Sequence, residues 1–199
     1  IHSAIKIRTN KMLPMILEEI ADRGHPVFDG QYDLNIFGIR KTDGQPNEFD
    51  DLIGCAYRNA HEWRVHYWHA TTDPGQYWLE NPANIKGTAI LCPGHYPGIW
   101  EIDLHRGKYE ALCQRSGPVK VWRDADRDRE FDFNGDTDTG FFGINLHKAG
   151  QSSDQVGRWS AGCQVLRNQS DFKTLMKLAN LQIATIGAKT FSYTLLEEW

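Results

Sequence analysis

Cys163 is the residue whose surroundings are best suited to nucleophilic chemistry. It lies in the stretch GRWSAGCQVL, residues 157–166, and a nucleophilic thiol needs a base, usually a histidine, within hydrogen-bond reach. Any such base must come from upstream, because all eight histidines precede Cys163: His2, His25, His61, His66, His69, His95, His105 and His147. His147 ends the apolar stretch FFGINLH, and a loop of the intervening length can bring two adjacent strand ends together. We therefore expect Cys163 to be the nucleophile and His147 its base.

The residues that precede Cys163 are small and favour a sharp turn. Ser160, Ala161 and Gly162 let the backbone bend and leave N–H groups free to face a developing oxyanion. We expect Ala161 and Gly162 to form this oxyanion turn, with the N–H groups of Gly162 and Cys163 as donors. The alternative is that Cys163 is a buried core thiol and His147 an ordinary histidine at a strand end.

The pattern along the chain predicts a mainly β protein with one helix near each end. Residues 11–23 are expected to form a helix capped by Asn10, and residues 169–180 a second helix capped by Ser170. Between them, short apolar and aromatic stretches separated by Pro, Gly and Asp predict strands. Because alternating βαβ units are absent, the expected fold is a β-sandwich or half-open barrel with peripheral helices near each terminus.

Length and composition exclude several classes of function. The 199 residues carry a net charge of -4, which argues against a nucleic-acid partner. No apolar run approaches the ~18 residues of a membrane span. The four cysteines form no Cys-x-x-Cys pair, so we expect no zinc site and no other cofactor. The opening residues IHSAIKIRTN lack both a signal peptide and a Met, so we expect a processed chain; its oligomeric state stays open.

The segment from His147 to Cys163 resembles the catalytic signature of the L,D-transpeptidase family. That signature is a strand-end histidine followed, a dozen or more residues later, by Ser-His-Gly-Cys. His147, Ser160, Gly162 and Cys163 occupy the matching positions in the same order. The resemblance is strongest over residues 143–166.

The chain departs from that signature at three positions. Ala161 stands where the family has histidine, Lys148 where it has glycine, and Val165 where Arg or Asn is common. Two segments compete as the equivalent of the family's Thr-Pro-x-Gly-x-Phe stretch, TDTGFFGI at 137–144 and CPGHYPG at 92–98. The chain is therefore identified as a divergent relative of the family.

The resemblance implies a mostly β catalytic region over residues 87–199, with residues 1–86 as a helix and strands that can extend the same domain. It implies peptidoglycan stem peptides as partners and a location outside the cytoplasm, in the periplasm, the cell wall, a phage particle or a secreted form. Cys163 would form a thioester with a stem-peptide carbonyl, and His147 would take the thiol proton. An amine acceptor gives cross-linking, whereas water gives carboxypeptidase, endopeptidase or lytic activity.

Three residues around the turn are expected to contact the stem peptide: Arg158, Ser160 and Gln164. Arg158 can hold a carboxylate in a bidentate pair, although an ordinary surface arginine is the alternative. Gln164 stands beside the position where the family's polar residue is missing. The replaced motif residues also favour a competing hypothesis, a non-catalytic peptidoglycan-binding or structural module with a decayed active site.

An acidic stretch, residues 123–140, precedes the strand that carries His147. Within its DFNGDTD segment the residues Asp132, Asn134 and Asp136 alternate as the oxygen ligands of calcium loops do. The glycine and the final glutamate of such loops are missing, and three arginines are interleaved with the acids. A metal site at Asp132, Asn134 and Asp136 is therefore the weaker alternative to a solvated loop.

Overall fold

The computed structural model describes residues 13–133, 135–151 and 153–199, and the fold is mainly β, as the sequence predicts. Three helices and eleven strands lie within these residues. Their order is α1 (Met15–Asp22), β1 (Asn35–Arg40), β2 (Asp51–Asn59), β3 (Glu62–Thr71), α2 (Gln76–Glu80), β4 (Thr88–Leu91), β5 (Gly94–His105), β6 (Tyr109–Gln114), β7 (Val119–Asp124), β8 (Thr137–Gly140), β9 (Leu146–Lys148), β10 (Gln164–Leu166), α3 (Gln169–Ile186) and β11 (Thr190–Glu197).

Eight strands form one sheet that closes on itself as a barrel, in the order β1, β11, β5, β6, β9, β10, β3 and β2. Two neighbouring pairs are parallel: β1 with β11, where Ile36 is opposite Tyr193, and β9 with β10, where His147 is opposite Val165. The other neighbours are antiparallel. Strands from both sides of the sequence boundary at residue 86 thus share one sheet.

A second, antiparallel sheet has the strand order β4, β7 and β8. The acidic stretch connects β7 to β8, and β8 leads through residues 141–145 into β9. This accessory sheet therefore joins the acidic stretch to the strand that carries His147.

The helices pack through apolar faces, as their sequence pattern predicts. α3 buries side chains at spacings of three and four residues against the barrel core: Phe172, Leu175, Leu178 and Ala179. α1 packs onto the other surface of the sheet, where Ile16, Leu17 and Ile20 meet Phe37 and Leu196. None of the helices in the described residues has the length and hydrophobicity that a membrane crossing needs.

The helix ends differ from the sequence prediction. Asn10, the predicted cap of the first helix, lies outside the described residues, but α1 begins at Met15 with Pro14 in the N-cap position, so the predicted start at residue 11 is wrong. The predicted cap Ser170 is wrong, since Asn168 holds the N-cap position of α3 and makes no side-chain capping bond. α3 also extends to Ile186, beyond the predicted end at residue 180, because Gln182 remains buried and accepts the N–H of Leu34.

A buried ion pair ties the end of β1 to the residues after β3. The Nε of Arg40 lies 2.8 Å from Oδ1 of Asp73, and both side chains are buried. Arg40 also donates to the hydroxyl and the carbonyl oxygen of Thr72 and to the carbonyl oxygen of Leu91. Burial raises the pKa of Asp73 to about 7, although Arg40 opposes the shift. The guanidinium thus stabilises both a buried carboxyl and three oxygens.

We predict that Arg40→Ala lowers the free energy of unfolding by about 3–5 kcal/mol, because it leaves Asp73 buried without its cation. Urea denaturation of both chains measures the difference. Arg64→Ala is the control, since Arg64 pairs with Glu62 on the surface and its loss should cost under about 1 kcal/mol. Equal losses in the two variants would contradict the prediction.

Candidate functional site

The turn that carries Cys163, residues 160–163, leads directly into β10; we call it the nucleophile turn. The buried hydroxyl of Ser160 donates to the carbonyl oxygen of Cys163 at 2.7 Å and accepts the N–H of Gly162 at 3.1 Å. Gly162 has φ of +114°, and a Cβ at this position would collide with the carbonyl oxygen of Ala89. The turn therefore requires glycine, and Ser160 shapes it from inside.

The backbone N–H groups of the turn are not equally free to bind an oxyanion. The N–H of Gly162 is already bonded to Ser160 Oγ. Over the described residues, the N–H groups of Ala161 and Cys163 make no hydrogen bond. The N–H of Gly162, one of the two predicted donors, is therefore occupied, whereas those of Ala161 and Cys163 are free.

Cys163 is half-buried as a residue, and its sulfur lies against the backbone of Gly143 and Asn145. Sγ donates to the carbonyl oxygen of Gly143 at 3.4 Å and accepts the N–H of Asn145 at 3.5 Å. Burial of the sulfur raises the pKa of Cys163 to about 11, although the N–H of Asn145 partly opposes the shift. The resting thiol is therefore protonated at neutral pH, and nucleophilic attack requires a base.

His147 lies on β9 with its ring in the tautomer that a base needs. Nδ1 lies 3.0 Å from the carbonyl oxygen of Lys148, which can only accept, so Nδ1 carries the proton. Nε2 consequently holds the lone pair and makes no hydrogen bond in the described structure, although the Trp159 backbone lies close enough to the ring to act, like that of Lys148, towards a higher pKa of His147. Burial lowers the pKa of His147 to about 3, and His105 adds to the shift. His147 is thus a neutral imidazole with a free acceptor.

The parallel pairing of β9 and β10 brings His147 and Cys163 into one region. His147 is opposite Val165, and Cys163 precedes Val165 by two residues, the spacing of side chains on one face of a strand. Among the described residues no hydrogen bond joins Sγ to the imidazole, since the thiol is turned to Gly143. Direct proton transfer therefore needs a rotation of the Cys163 side chain.

His105, which the sequence analysis does not select, stacks on His147. The two ring centroids are 4.1 Å apart at an interplanar angle of 28°. Asn145 Nδ2 donates to His105 Nδ1 at 3.1 Å, and the amide orientation is fixed because Oδ1 accepts the N–H of Gln114 at 2.9 Å. Burial lowers the pKa of His105, with Arg106 adding to the effect. A neutral His105 therefore fixes one face of the base.

The sequence contains a local pattern that could have indicated His105 as a partner of His147. The segment IDLH at 102–105 ends a strand in the same way as INLH at 144–147. β5 and β9 both flank β6, so the two ends meet although about forty residues separate them. Only the strand order reveals this proximity.

Gln114 holds the segment from Phe141 to Asn145, which the sequence suggests as part of a strand and which lacks strand pairing between β8 and β9. Its Oε1 accepts the N–H groups of Phe142, Gly143 and Ile144 at 3.0–3.1 Å. Its Nε2 donates to the carbonyl oxygens of Gly117 and Gly140. The side-chain amide of Gln114 thus hydrogen-bonds five backbone groups. It thereby holds the segment whose Gly143 carbonyl oxygen accepts from the Cys163 thiol.

The remaining predicted substrate-binding residues have different surroundings. Arg158 is exposed, and its guanidinium lies over the Tyr77 ring at 3.8 Å from the centroid. Gln164 is fully buried, where it donates to the Thr72 carbonyl oxygen and accepts the Tyr193 hydroxyl. Arg158 therefore remains accessible to a ligand, whereas Gln164 ties the nucleophile turn to the barrel interior.

A cleft of about 350 Å³ lies beside the nucleophile turn. Its walls combine a turn residue with aromatic, hydroxyl and cationic side chains: Ala161, Trp78, Phe141, Phe142, Thr88 and Arg123. Ala161 occupies the position where the resembled signature has histidine, so this wall is small and apolar. The nucleophile turn borders this cleft through Ala161, whereas Cys163 and His147 are not among its lining residues.

The acidic stretch places its carboxylates differently from the predicted metal site. Asp132 groups with Asp124 and Asp126, whose carboxylate oxygens lie within 4.8 Å of one another. Asn134 lies outside the described residues, and the carboxyl of Asp136 does not join this group. Of the three clustered acids, the alternating pattern in the sequence therefore predicts only Asp132 as a ligand.

We predict that Gln114→Leu lowers the free energy of unfolding by about 3 kcal/mol, because five backbone groups lose their partner. Chemical denaturation measures the loss. Gln155→Leu is the matched control, because Gln155 is exposed and its replacement should change the stability by less than about 0.5 kcal/mol. A Gln114→Leu chain as stable as the control would contradict the assigned role of the amide.

We also predict that alkylation of Cys163 by iodoacetamide accelerates about tenfold per pH unit from pH 7 to 10, without a plateau, because the reactive thiolate forms with a pKa of about 11. Peptide mass spectrometry measures the rate. In denaturant the same residue should reach its plateau near the ordinary thiol pKa of about 8.5. A native plateau below pH 8 would instead indicate a preformed thiolate.

Comparison with known proteins adds no family to this geometry. No family model, no curated protein and no solved structure matches the chain.

Proposed function

We propose that the protein is a cysteine-dependent acyl transferase or hydrolase of the L,D-transpeptidase type, acting on peptidoglycan stem peptides. The observation that carries the proposal is the buried, unpartnered Nε2 of His147 on the strand beside Cys163. A fixed Nδ1–H tautomer with a free lone pair is the form in which histidine acts as a base. That the fold is of the L,D-transpeptidase type is part of this proposal, although the sheet closes into a barrel where the sequence predicts a sandwich or a half-open barrel.

The proposed reaction starts with rotation of the Cys163 thiol from Gly143 towards His147. Nε2 takes the thiol proton as Sγ attacks a stem-peptide carbonyl, and the N–H groups of Ala161 and Cys163 bind the resulting oxyanion. Collapse of this intermediate breaks the amide bond, and the departing amine takes the proton from His147. An amine or a water molecule then attacks the thioester, which releases the acyl product and restores the thiol.

The divergent positions favour hydrolysis over transfer within this proposal. Ala161 replaces a histidine of the resembled signature and gives the cleft a small wall. Arg158 is exposed next to the turn, where it can bind a stem carboxylate. A weakly shaped acceptor site admits water more readily than it orients an amine.

We predict that the full chain forms a covalent adduct at Cys163 with a disaccharide-tetrapeptide or a cross-linked stem fragment. Intact-mass and peptide mass spectrometry detect the adduct, and chromatography of the products separates transfer from hydrolysis. Cys163→Ala should abolish the adduct, and His147→Gln should slow its formation by about 10²–10⁴-fold. Cys92→Ala removes another thiol from outside the nucleophile turn and should leave the reaction unchanged.

The second candidate function is a non-catalytic module that binds peptidoglycan and retains a decayed active site. The raised pKa of Cys163 and its bond to Gly143 favour it, because neither activates the sulfur. Cosedimentation with purified peptidoglycan distinguishes the two functions. Binding that survives in Cys163→Ala, together with no adduct in the unaltered chain, would overturn the enzymatic proposal.

A further inference from the structure

Three carboxylates converge at the end of β7, at a distance from the chemistry proposed for Cys163. Asp124, Asp126 and Asp132 each present an oxygen, and these oxygens lie within 4.8 Å of one another. Two oxygens bound to one calcium ion at 2.3–2.6 Å are at most about 5 Å apart, so the cluster fits that span.

Asp124 provides a second observation that points to a ligand. Its side chain is completely buried, and Oδ1 has no hydrogen-bond partner in the described structure. Oδ2 accepts only the N–H of Asp132, at 3.2 Å. A buried carboxylate oxygen without a partner is costly, and a bound cation removes that cost.

The neighbouring arginines do not neutralise the cluster. Arg123 pairs with Asp138 at 3.2 Å and donates to the Gly87 carbonyl oxygen, while Arg129 pairs with Glu80 at 2.6 Å. In the described part of the chain, no ion pair reaches the three clustered carboxylates. Burial raises the pKa of Asp124 to about 6, and the charges of Asp132, Asp126 and Asp128 add to the shift. Arg123 and Arg129 are thus directed elsewhere, and Arg127 forms no ion pair in the described part of the chain.

We propose that Asp124, Asp126 and Asp132 bind a calcium ion that fixes the segment between β7 and β8. Oxygen-only ligands with three negative charges suit a hard divalent cation, and the loop position leaves room for water and carbonyl ligands. Because β8 continues into the residues held by Gln114, the ion would stabilise the accessory sheet beside the cleft.

The test uses the full chain, freed of metal by chelation and dialysed, with CaCl2 as the titrant. Calorimetry should detect binding, and the melting temperature should rise by about 5–10 °C at a hundredfold excess over Kd. Asp126→Asn and Asp132→Asn should lose most of this rise. In chelator the same variants should melt at or above the temperature of the unaltered chain, because their substitution relieves repulsion.

Glu130→Gln is the matched control, since it removes one negative charge from the same segment outside the cluster. It should retain the full calcium shift. No heat of binding and no shift at about 10 mM CaCl2 would overturn the proposal, as would an undiminished shift in both Asp variants. A shift with MgCl2 equal to that with CaCl2 would overturn the choice of calcium.

Discussion

Buried backbone N–H and C=O groups must be hydrogen-bonded, and the strands around Cys163 are too short to meet this requirement by pairing alone. β9 and β10 have three residues each. Side-chain amides supply the missing bonds: Gln114 binds the segment before β9, and Gln164 binds the carbonyl oxygens of Thr72 and Gly162. The hydrogen bonds of these amides hold the backbone where strand pairing ends, so the nucleophile turn and the Cys163 thiol keep defined positions.

The same burial sets the charge state of the site. His147 stays neutral because its ring is desolvated and stacked on His105, and Cys163 stays protonated because its sulfur is desolvated. A thiolate–imidazolium pair would therefore create two charges in a poorly solvated space. In the proposed reaction, attack on a carbonyl would avoid a long-lived pair, since the negative charge would pass at once to an oxyanion near backbone N–H groups.

Local signals predict much of this structure, and long-range pairing accounts for the rest. The apolar faces of α1 and α3 and the glycine turn before Cys163 follow from spacing and residue size, and these predictions agree with the structure. Barrel closure depends on β1 meeting β11 from the opposite end of the chain, which no local pattern encodes. His105 and Gln114 acquire their roles through such pairing. The predicted Ser170 cap failed for a local reason, because Asn168 holds the N-cap position of α3 two residues earlier.

The accessory sheet links the nucleophile turn to the acidic cluster through two glycines that approach its backbone. Gly162 packs against the carbonyl oxygen of Ala89 on β4, and Gly87 packs against that of Asp124 at the end of β7. Both glycines have positive φ, +114° and +100°, so a side chain at either position would both collide and strain the backbone. β4 and β7 are hydrogen-bonded neighbours, with Thr88 opposite Asp124. β4 therefore connects the residue against which the nucleophile turn rests with the strand that ends at Asp124.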